Sequence, residues 1–419
     1  MTEKLGGMKT LSDWDVELEL QKALQGISAR HLVVVIPDAT RTAPVALFFR
    51  LLCRELEGKV NKLSFLIALG THPLMNEKAV DRLMGMEKRE RLARFPFAEV
   101  LNHRWDLPET FTEVGTLSKL ETEELSGGRL SLEVPIRINR LLLQADKVIL
   151  LGPVFPHEVA GFSGGSKYLF PGVGGSDVIH FTHWLGALMT SHATIGRRET
   201  AVRQAIELAA SRVPVEKLAL CLVTSKAGLH GFYWGETKKA WLEATNLSSR
   251  IHINWCEEPY NRVLSVIPER YDDIWTGAKG MYKVEPVLAD GGEVVIYAPH
   301  ITEFSYTHGG VLERIGYHVR DYFLGQWERF RKEPWGILAH STHLKGDGSF
   351  EDGVETPRVQ VTLATGISKA RCEAMSLGYL DPESIDPEEW ANREDERILL
   401  VPNAGETLYR LKDYPGETA

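Results

Sequence analysis

The stretch HLVVVIPDATRTAPVALFFRLLCRELEG, residues 31–58, decides the fold. It opens with a short, almost wholly apolar run that ends at Pro37, which predicts a buried strand. Apolar residues then recur at helical spacing over 45–58, and the segment ends at Gly58, which predicts a helix. A buried strand followed by a helix is the repeating unit of an α/β protein with a parallel sheet.

Working outward, the same pattern recurs. Three further apolar runs predict strands: KLSFLIAL (62–69), KVILLG (147–152) and LALCLVTS (218–225). Segments with helical spacing lie between them, at 76–95 and 200–213. We therefore expect an α/β fold of two domains with mostly parallel sheets and an active site in the cleft between the domains.

The two domains are expected at residues 1–262 and 263–402, and the tail at 403–419 is a candidate for returning to the first domain. In the second domain, 277–299 predicts a helix, a Gly-Gly stop and a strand. Further strands are predicted at WGILAHST (335–342), VQVTLAT (359–365) and RILLVP (397–402).

The composition is that of an acidic globular protein. Of 419 residues, 43% are hydrophobic and 25% charged; the net charge of −9 argues against a nucleic-acid partner. The four cysteines are widely spaced and form no ligand pair, which favours a reducing compartment. No run approaches the roughly 18 apolar residues of a membrane span, and the N-terminus lacks a signal-peptide pattern. We expect a cytoplasmic protein without a membrane partner.

Two short loops after predicted strands carry polar side chains. In DATR (38–41), Arg41 can bind a carboxylate or phosphate, whereas the structural alternative is that Asp38 or Thr40 caps the next helix and Arg41 pairs with Asp38. In GTH (70–72), His72 is a candidate general acid or base, although a lone loop histidine is more often a surface residue.

The third loop, LGPVFPHEVAGFSGGSKYLFPGVGGSD (151–177), contains seven glycines and three prolines. Successive backbone N–H groups in such a loop can bind an anion, and so long a loop is uncommon unless functional. It is not a P-loop, because Ser166 rather than glycine precedes Lys167 and Tyr168 follows it. The residue types alone do not decide whether Lys167 is a phosphate contact, a covalent attachment point or a solvated side chain.

A predicted helix at 176–187 carries His180 and His183, three residues apart and therefore on neighbouring positions of one face. Imidazole is a ligand for zinc, copper, iron and nickel. Without a third ligand nearby in the sequence, a pair of partly buried helix histidines is the alternative.

Together these motifs resemble the lactate racemase family, the enzymes that use a nickel-pincer nucleotide. The resemblance rests on DATR at 38–41, GTH at 70–72, HEVAGFSGGSKYLFPGVGG at 157–175, HW at 183–184 and WTGAKG at 275–280. It is strongest over residues 31–187 and weaker after 300.

The resemblance implies the nickel-pincer nucleotide, pyridinium-3,5-bisthiocarboxylic acid mononucleotide nickel, as cofactor. Lys167 would hold it covalently through a thioamide, and His183 would coordinate Ni beside two sulfurs and one carbon of the pincer, a donor set that Ni(II) accepts. Cofactor-synthesis proteins would be partners during loading. The residues assigned to the nucleotide are Asp38, Thr40, Gly164 and Gly165.

The resemblance also implies inversion at C2 of a small-molecule 2-hydroxy acid. His72 and His157 would be the proton acceptors on opposite faces of the substrate, while the Cα hydrogen leaves as hydride and returns to the other face of a 2-keto acid. The substrate-binding residues implied are Arg41 and Lys279 for the carboxylate, with Trp275, Thr276 and Trp335 around the rest of the molecule.

The substrate stays open at this point. Trp275 and Thr276 stand where the lactate-specific pattern has Tyr and Gln, so a short or medium aliphatic 2-hydroxy acid fits best, with malate or a sugar acid as alternatives. Two other classes are a non-catalytic protein that binds an anionic metabolite and a zinc hydrolase using His180 and His183. Three further polar residues either contact a polar substrate tail or lie in a solvated loop. They are His340, His343 and Lys345.

Overall fold

The computed structural model describes residues 9–412. The strands are β1 (Ala29–Pro37), β2 (Val60–Ala68), β3 (Ala98–Asn102), β4 (Phe111–Leu117), β5 (Val134–Asn139), β6 (Lys147–Pro153), β7 (Pro156–His157), β8 (Gly161–Phe162), β9 (Glu216–Ser225), β10 (Gly228–Glu236), β11 (Ile253–Cys256), β12 (Tyr260–Val266), β13 (Leu288–Ala298), β14 (Gly348–Glu351), β15 (Val354–Pro357), β16 (Gln360–Thr365), β17 (Gly378–Tyr379), β18 (Ile398–Val401) and β19 (Leu408–Leu411).

The helices alternate with these strands. They are α1 (Asp13–Ala23), α2 (Val45–Leu56), α3 (Glu77–Met84), α4 (Lys88–Arg94), α5 (Lys119–Leu125), α6 (Ser176–Met189), α7 (Ser191–Thr194), α8 (Ala201–Ser211), α9 (Thr237–His252), α10 (Ile274–Gly277), α11 (Lys279–Tyr282), α12 (Gly309–Ile315), α13 (Arg320–Gly325), α14 (Trp327–Phe330), α15 (Trp335–Lys345) and α16 (Lys369–Ala374). This content confirms the predicted α/β class with mostly parallel sheets.

The described chain divides into two compact units. Unit 1 contains the residues up to Phe155 together with Phe162–Thr182 and Arg203–Ile251. Unit 2 contains Pro156–Gly161, His183–Val202 and the residues from His252 onward. The sequence predicted a single division at 262, whereas the chain passes between the units several times, because local periodicity carries no information about which unit a segment packs in.

Unit 1 is built on a six-stranded sheet with the order β10-β9-β6-β1-β2-β3. All neighbouring strands are parallel except β9 and β10. The chain runs from β1 outward to β3, then returns to the other side of β1 with β6, so the strand order reverses between β1 and β6. In open α/β sheets, ligands bind at the carboxyl ends of the strands at such a reversal.

Unit 2 contains a five-stranded parallel sheet with the order β17-β16-β13-β12-β18. The strand predictions at 359–365 and 397–402 are confirmed as β16 and β18. The end of the chain adds β19, which pairs in parallel with β11 in the same unit. The last seven residues of the predicted tail, 413–419, lie outside the described residues.

Two predictions in unit 2 are wrong. WGILAHST belongs to helix α15 rather than to a strand, and residues 337–345 of that helix are all buried. A short apolar run that is buried on every side shows no alternation that separates strand from helix. The predicted Gly-Gly stop at 291–292 lies inside β13, which begins at Leu288. Among the described residues, no helix has the length and apolar character needed to cross a bilayer.

The end of β6 depends on a glycine. A Cβ at Gly152 would overlap the hydroxyl of Tyr168, which packs directly on the backbone there. We expect Gly152→Ala to lower the free energy of unfolding by about 1–3 kcal/mol, because overpacking forces neighbours to move. The measurement is urea denaturation followed by far-UV circular dichroism.

Gly336 is the matched control, since a Cβ there, in the first turn of α15, meets open space within the described structure. Gly336→Ala should leave stability unchanged or raise it by about 0.5–1 kcal/mol through the helix propensity of alanine. Equal stability of Gly152→Ala and the wild type would show that Tyr168 does not constrain this position.

Candidate active site

The site in unit 1 begins where β1 and β6 end side by side. The DATR loop follows β1, the GTH loop follows β2, and the glycine-rich loop follows β6. One backbone and one side-chain contact tie these loops together: Gly70 N donates to the carbonyl of Gly172 at 2.9 Å, and the Arg41 guanidinium lies 5.6 Å from the ring centroid of Phe155. Three loops that are distant in sequence therefore converge on one sheet edge.

Asp38 and His72 form the central pair. Nδ1 of His72 donates to Oδ2 of Asp38 at 2.6 Å, and the hydroxyl of Thr40 donates to Oδ1 of Asp38, also at 2.6 Å. The Asp38 carboxyl is buried, which opposes ionisation, but the hydrogen bonds from His72 and Thr40 and the charge of Arg41 hold its pKa below the ordinary value. With Nδ1 of His72 donating to an ionised carboxylate, the neutral ring presents an unprotonated Nε2.

The capping alternative for this loop is wrong within the described structure. Helix α2 begins at Val45, seven residues after Asp38, and its N-cap position is Pro44 without a side-chain cap. Asp38 instead bonds to His72. The orientation of His72 is also supported by Trp105, whose indole N–H donates to the His72 carbonyl at 2.7 Å. Trp105 was not identified from the sequence, because this residue lies in none of the sequence motifs.

A depression of about 410 Å³ opens beside this pair. Three polar residues, Asp38, Thr40 and His72, lie on one part of its wall. The rest of the wall is mainly apolar and comes from Ala39, Pro73, Leu74, Met75, Asn76 and Ala79. Apolar space next to an acid–base histidine is suited to the hydrocarbon part of a small substrate.

The glycine-rich loop turns sharply at Gly164 and Gly165, which have φ values of 82° and 58°. A Cβ at Gly164 would lie 2.5 Å from Val154, so backbone can approach where a larger residue would not fit. These glycines lead into the short turn Gly165–Tyr168, which carries half-buried Lys167.

The loop is fixed from behind by polar side chains that sequence reasoning missed. Arg203 donates to the carbonyls of Phe162 and Gly164 and lies 4.2 Å from the Trp241 ring centroid. The Trp241 indole donates to the Ser163 carbonyl at 2.8 Å. The residue before Lys167, Ser166, donates to the Glu207 carboxylate at 2.7 Å. The backbone around Lys167 is therefore held in one conformation.

Unit 2 contains the second candidate base, His157, at the end of β7. This residue is buried, and its Nδ1 accepts a hydrogen bond from Val159 N at 3.2 Å and lies 3.5 Å from Oε2 of Glu158. Lys283, also buried, donates to the carbonyl of Pro156 at 2.7 Å and holds the backbone just before His157. Glu158 directly follows His157 in the sequence motif, so a role beside His157 could have been inferred from the sequence. Nothing in the sequence around Lys283 indicates a role at the site.

His183 lies half-buried on α6, and His180 is exposed on the same helix. The next residue, Trp184, is fully buried and stacks on Trp327 at 5.3 Å between ring centroids. Trp335, predicted to contact substrate, lies 6.4 Å from Trp184 in the same aromatic cluster. Across residues 9–412, no group of three or more His, Cys, Asp or Glu side chains is placed to hold a metal ion.

The other predicted substrate residues lie near α10 and α11. Lys279 places its ammonium 4.5 Å from the ring centroid of Tyr271. Trp275 stacks on His340 at 3.9 Å between centroids. The backbone N–H and hydroxyl of Thr276 both donate to Oδ1 of Asp273, at 2.9 and 2.8 Å, so this threonine serves the start of α10.

The solvated-loop alternative for the His340 group is wrong. His340, His343 and Lys345 all lie in α15 and are buried. Burial lowers the pKa of His340 to about 3 and that of His343 to about 4, so both are neutral at pH 7. Nδ1 of His343 bonds to the Ser191 hydroxyl at 2.7 Å.

Comparison with known proteins gives concordant matches. Residues 19–196 match the family model described as the lactate racemase N-terminal domain. The chain is 26% identical over 302 residues to the lactate racemase of Thermoanaerobacterium thermosaccharolyticum, and this match spans 69% of the chain and 64% of that relative.

Two solved structures have a similar fold. A crystal structure of a protein from Thermotoga maritima has a TM-score of 0.83 and 31% identity, covering 96% of this chain and 99% of that one. The lactate racemase apoprotein of T. thermosaccharolyticum has a TM-score of 0.72 and 20% identity, covering 98% and 96%.

The class that this fold and these matches define is an α/β protein with a lactate racemase N-terminal domain at residues 19–196. Within that class, the chain is similar to lactate racemases, the resemblance that its motifs predicted.

The ionised Asp38 gives a prediction for pH dependence. Its folded-state pKa is lowered, so it stabilises the fold above its unfolded pKa of about 3.9, and this contribution disappears as pH falls through the lower folded value. At pH 7 we expect Asp38→Asn to reduce the free energy of unfolding by about 1–3 kcal/mol. The difference from wild type should shrink below about pH 4, as measured by urea denaturation across pH.

Asp352→Asn is the control, because Asp352 is exposed and its positive φ suits asparagine equally well. It should show no such pH-dependent difference. A constant gap between the wild type and Asp38→Asn from pH 7 to pH 3 would contradict the assignment of the charge to Asp38.

Proposed function

We propose that the protein inverts the configuration at C2 of a 2-hydroxy acid, as a racemase or epimerase that works with the nickel-pincer nucleotide. The observation that carries the proposal is the Asp38–His72 hydrogen bond at the strand-order reversal of unit 1, in a chain similar to lactate racemases. A buried carboxylate that fixes a histidine tautomer is the arrangement of a general base. The proposed location is the cytoplasm, and cofactor-synthesis proteins are the proposed partners in loading.

The residues present fit the proposed cofactor. Lys167 supplies an amine for covalent attachment on a turn that is held by the packing of Gly164 on Val154 and by the hydrogen bond from Ser166 to Glu207. His183 supplies one imidazole, and the described residues place no complete ligand set around it, which suits a metal whose other donors belong to the cofactor. Asp38, Thr40, Gly164 and Gly165 remain the proposed nucleotide-binding residues. When bound, the group would supply the acceptor and donor of the Cα hydrogen.

The chain's own residues would position the substrate and move its hydroxyl proton. Arg41 would bind the carboxylate through its planar, two-pronged guanidinium, and Lys279 is the second proposed carboxylate contact. Nε2 of His72 would accept the hydroxyl proton, and Asp38 would stabilise the resulting imidazolium through Nδ1. His157 is the proposed second base, which serves the other enantiomer. Trp275, Thr276 and Trp335 remain proposed contacts to the rest of the substrate.

The depression beside His72 supports an aliphatic substrate over malate or a sugar acid. Its described lining residues include neither Lys nor Arg, the side chains that would neutralise a second carboxylate. A second carboxylate placed against the apolar part of this wall would lose hydration without gaining a cationic partner. We therefore propose a 2-hydroxy acid with a short or medium hydrocarbon chain.

Loading and activity can be tested in one preparation. The chain, produced together with cofactor-synthesis proteins, should carry a nucleotide-sized adduct by intact mass and should convert a single enantiomer of 2-hydroxybutyrate to the racemate. Lys167→Ala should lose both the adduct and the activity. His72→Ala should keep the adduct and lose at least about 100-fold in kcat/KM, because a positioned base contributes about 10²–10⁴-fold.

Lys226→Ala is the matched control for Lys167, since it removes a lysine outside the proposed site. It should keep the adduct and the activity. Activity of the wild type without nickel or adduct would refute the proposed chemistry, and binding without isomerisation would favour a non-catalytic metabolite-binding protein. Stoichiometric zinc without nickel would favour a hydrolase.

Substrate preference tests the apolar depression. We expect kcat/KM for 2-hydroxybutyrate to exceed that for malate by about tenfold or more, because the apolar wall cannot solvate a second carboxylate. Leu74, which is 39% exposed and tolerates a polar replacement, offers a variant. Leu74→Asn should narrow this ratio in a panel of optically pure 2-hydroxy acids assayed by chiral chromatography. Faster turnover of malate by the wild type would exclude the aliphatic assignment.

A further inference from the structure

The two proposed bases differ in what holds their Nδ1 atoms. At His72, Nδ1 donates to the Asp38 carboxylate at 2.6 Å. At His157, Nδ1 accepts from the backbone N–H of Val159 at 3.2 Å. The two neutral rings therefore carry their protons on opposite nitrogens: His72 on Nδ1, and His157 on Nε2.

This difference matters because each ring would exchange the substrate proton at Nε2. A histidine that accepts a proton at Nε2 must already carry one on Nδ1, and it keeps that Nδ1 proton while Nε2 gains and loses its own. His72 is in this form. His157 reaches it only if its proton moves to Nδ1 and the hydrogen bond from Val159 is released. The new Nδ1–H then needs an acceptor.

Glu158 provides that acceptor. Its Oε2 lies 3.5 Å from Nδ1 of His157, just beyond hydrogen-bond range and within reach of a small rotation of either side chain. An ionised carboxylate can only accept, so it favours the ring form with a proton on Nδ1. The side chain of Glu158 is 24% exposed, and that of His157 is 10% exposed, so solvent competes little for this contact.

The charges around Glu158 keep it ionised. Burial opposes ionisation, but the charge of His157 in its protonated form, the hydrogen bond from the backbone N–H of Glu158 and the Lys283 ammonium outweigh that cost and hold the pKa of Glu158 below its ordinary range. Lys283 also donates to the carbonyl of Pro156 at 2.7 Å, which holds the backbone beside the pair.

We infer that Glu158 is the positioning residue for His157: it accepts the Nδ1–H of His157 and so allows His157 to accept the substrate proton at Nε2, as Asp38 does for His72. This inference rests on the proposed function for its role in catalysis. Its structural part, the choice of His157 tautomer, does not depend on cofactor or substrate.

The structural part is tested on the full chain without cofactor. Protein labelled with ¹⁵N-histidine, with His157 assigned through His157→Gln, reports which ring nitrogen is protonated across a pH titration. Glu158→Gln should reduce the population of the Nδ1–H form of His157 and lower the pKa of that ring by about one unit, because an adjacent carboxylate favours the cation. The signals of His72 should stay in place.

Two further variants make this result decisive. Glu258→Gln removes an exposed carboxylate of the same unit, 74% exposed, and should leave the His157 signals unchanged. Glu158→Asp keeps the charge and should restore part of the Nδ1–H population if Glu158→Gln folds poorly. Unchanged His157 signals in a folded Glu158→Gln protein would overturn the inference.

The catalytic part is tested on the loaded enzyme. Glu158→Gln should lower kcat/KM about 10–100-fold, the usual cost of removing the partner that orients a functional histidine. For a pair of enantiomers the equilibrium constant is one, so kcat/KM must fall equally in both directions, while the pH profile shifts to lower pH on the limb that belongs to His157. Wild-type kcat/KM and pH profile in Glu158→Gln would refute this role. Absence of racemisation by the wild type would instead refute the proposed function, and the ¹⁵N experiment would still decide the tautomer.

Discussion

The parallel pairing of β1 with β6 is the constraint on which the unit 1 site depends. Leu32–Val35 pair with Lys147–Leu150, and the strand order reverses at this contact. The carboxyl ends of the two strands then lie side by side, so the DATR loop and the glycine-rich loop leave the sheet at one edge. Were β6 to pair elsewhere, Asp38 and Tyr168 would not lie close enough to influence each other electrostatically.

Within each unit, the charge at the proposed base is set by local pairing rather than by the net charge of the chain. The chain carries a formal charge of −9, yet its two proposed bases each face a carboxylate. A carboxylate in this position can stabilise an imidazolium that forms when the ring accepts a proton. Asp38 is already engaged with His72, whereas Glu158 stands slightly apart from His157, so the two halves of the proposed acid–base system differ in their resting state.

Much of the site could be predicted because its residues occupy contiguous motifs. DATR, GTH and the glycine-rich loop each follow a buried strand, and burial of that strand is visible as an apolar run. The missed residues have no such marker: Arg203, Trp241 and Lys283 act on the loops through backbone carbonyls, and their own neighbours in sequence are ordinary helix residues. Helix α15 was mistaken for a strand because burial on all sides removes the periodicity that identifies a helix.

The sequence by itself determined the α/β class and the resemblance to lactate racemases, and it nominated the residues of the proposed chemistry, since apolar runs and motif spacing are local properties of the chain. Only the tertiary structure decided which partner each functional group has. From the sequence, Asp38 could be either a helix cap or a nucleotide contact, and the structure shows it hydrogen-bonded to His72. The sequence assigns no specific role to Glu158, which the structure places 3.5 Å from Nδ1 of His157. The reason is physical: a hydrogen bond depends on the distance and direction between atoms that the fold brings together, and these follow from packing rather than from separation along the chain.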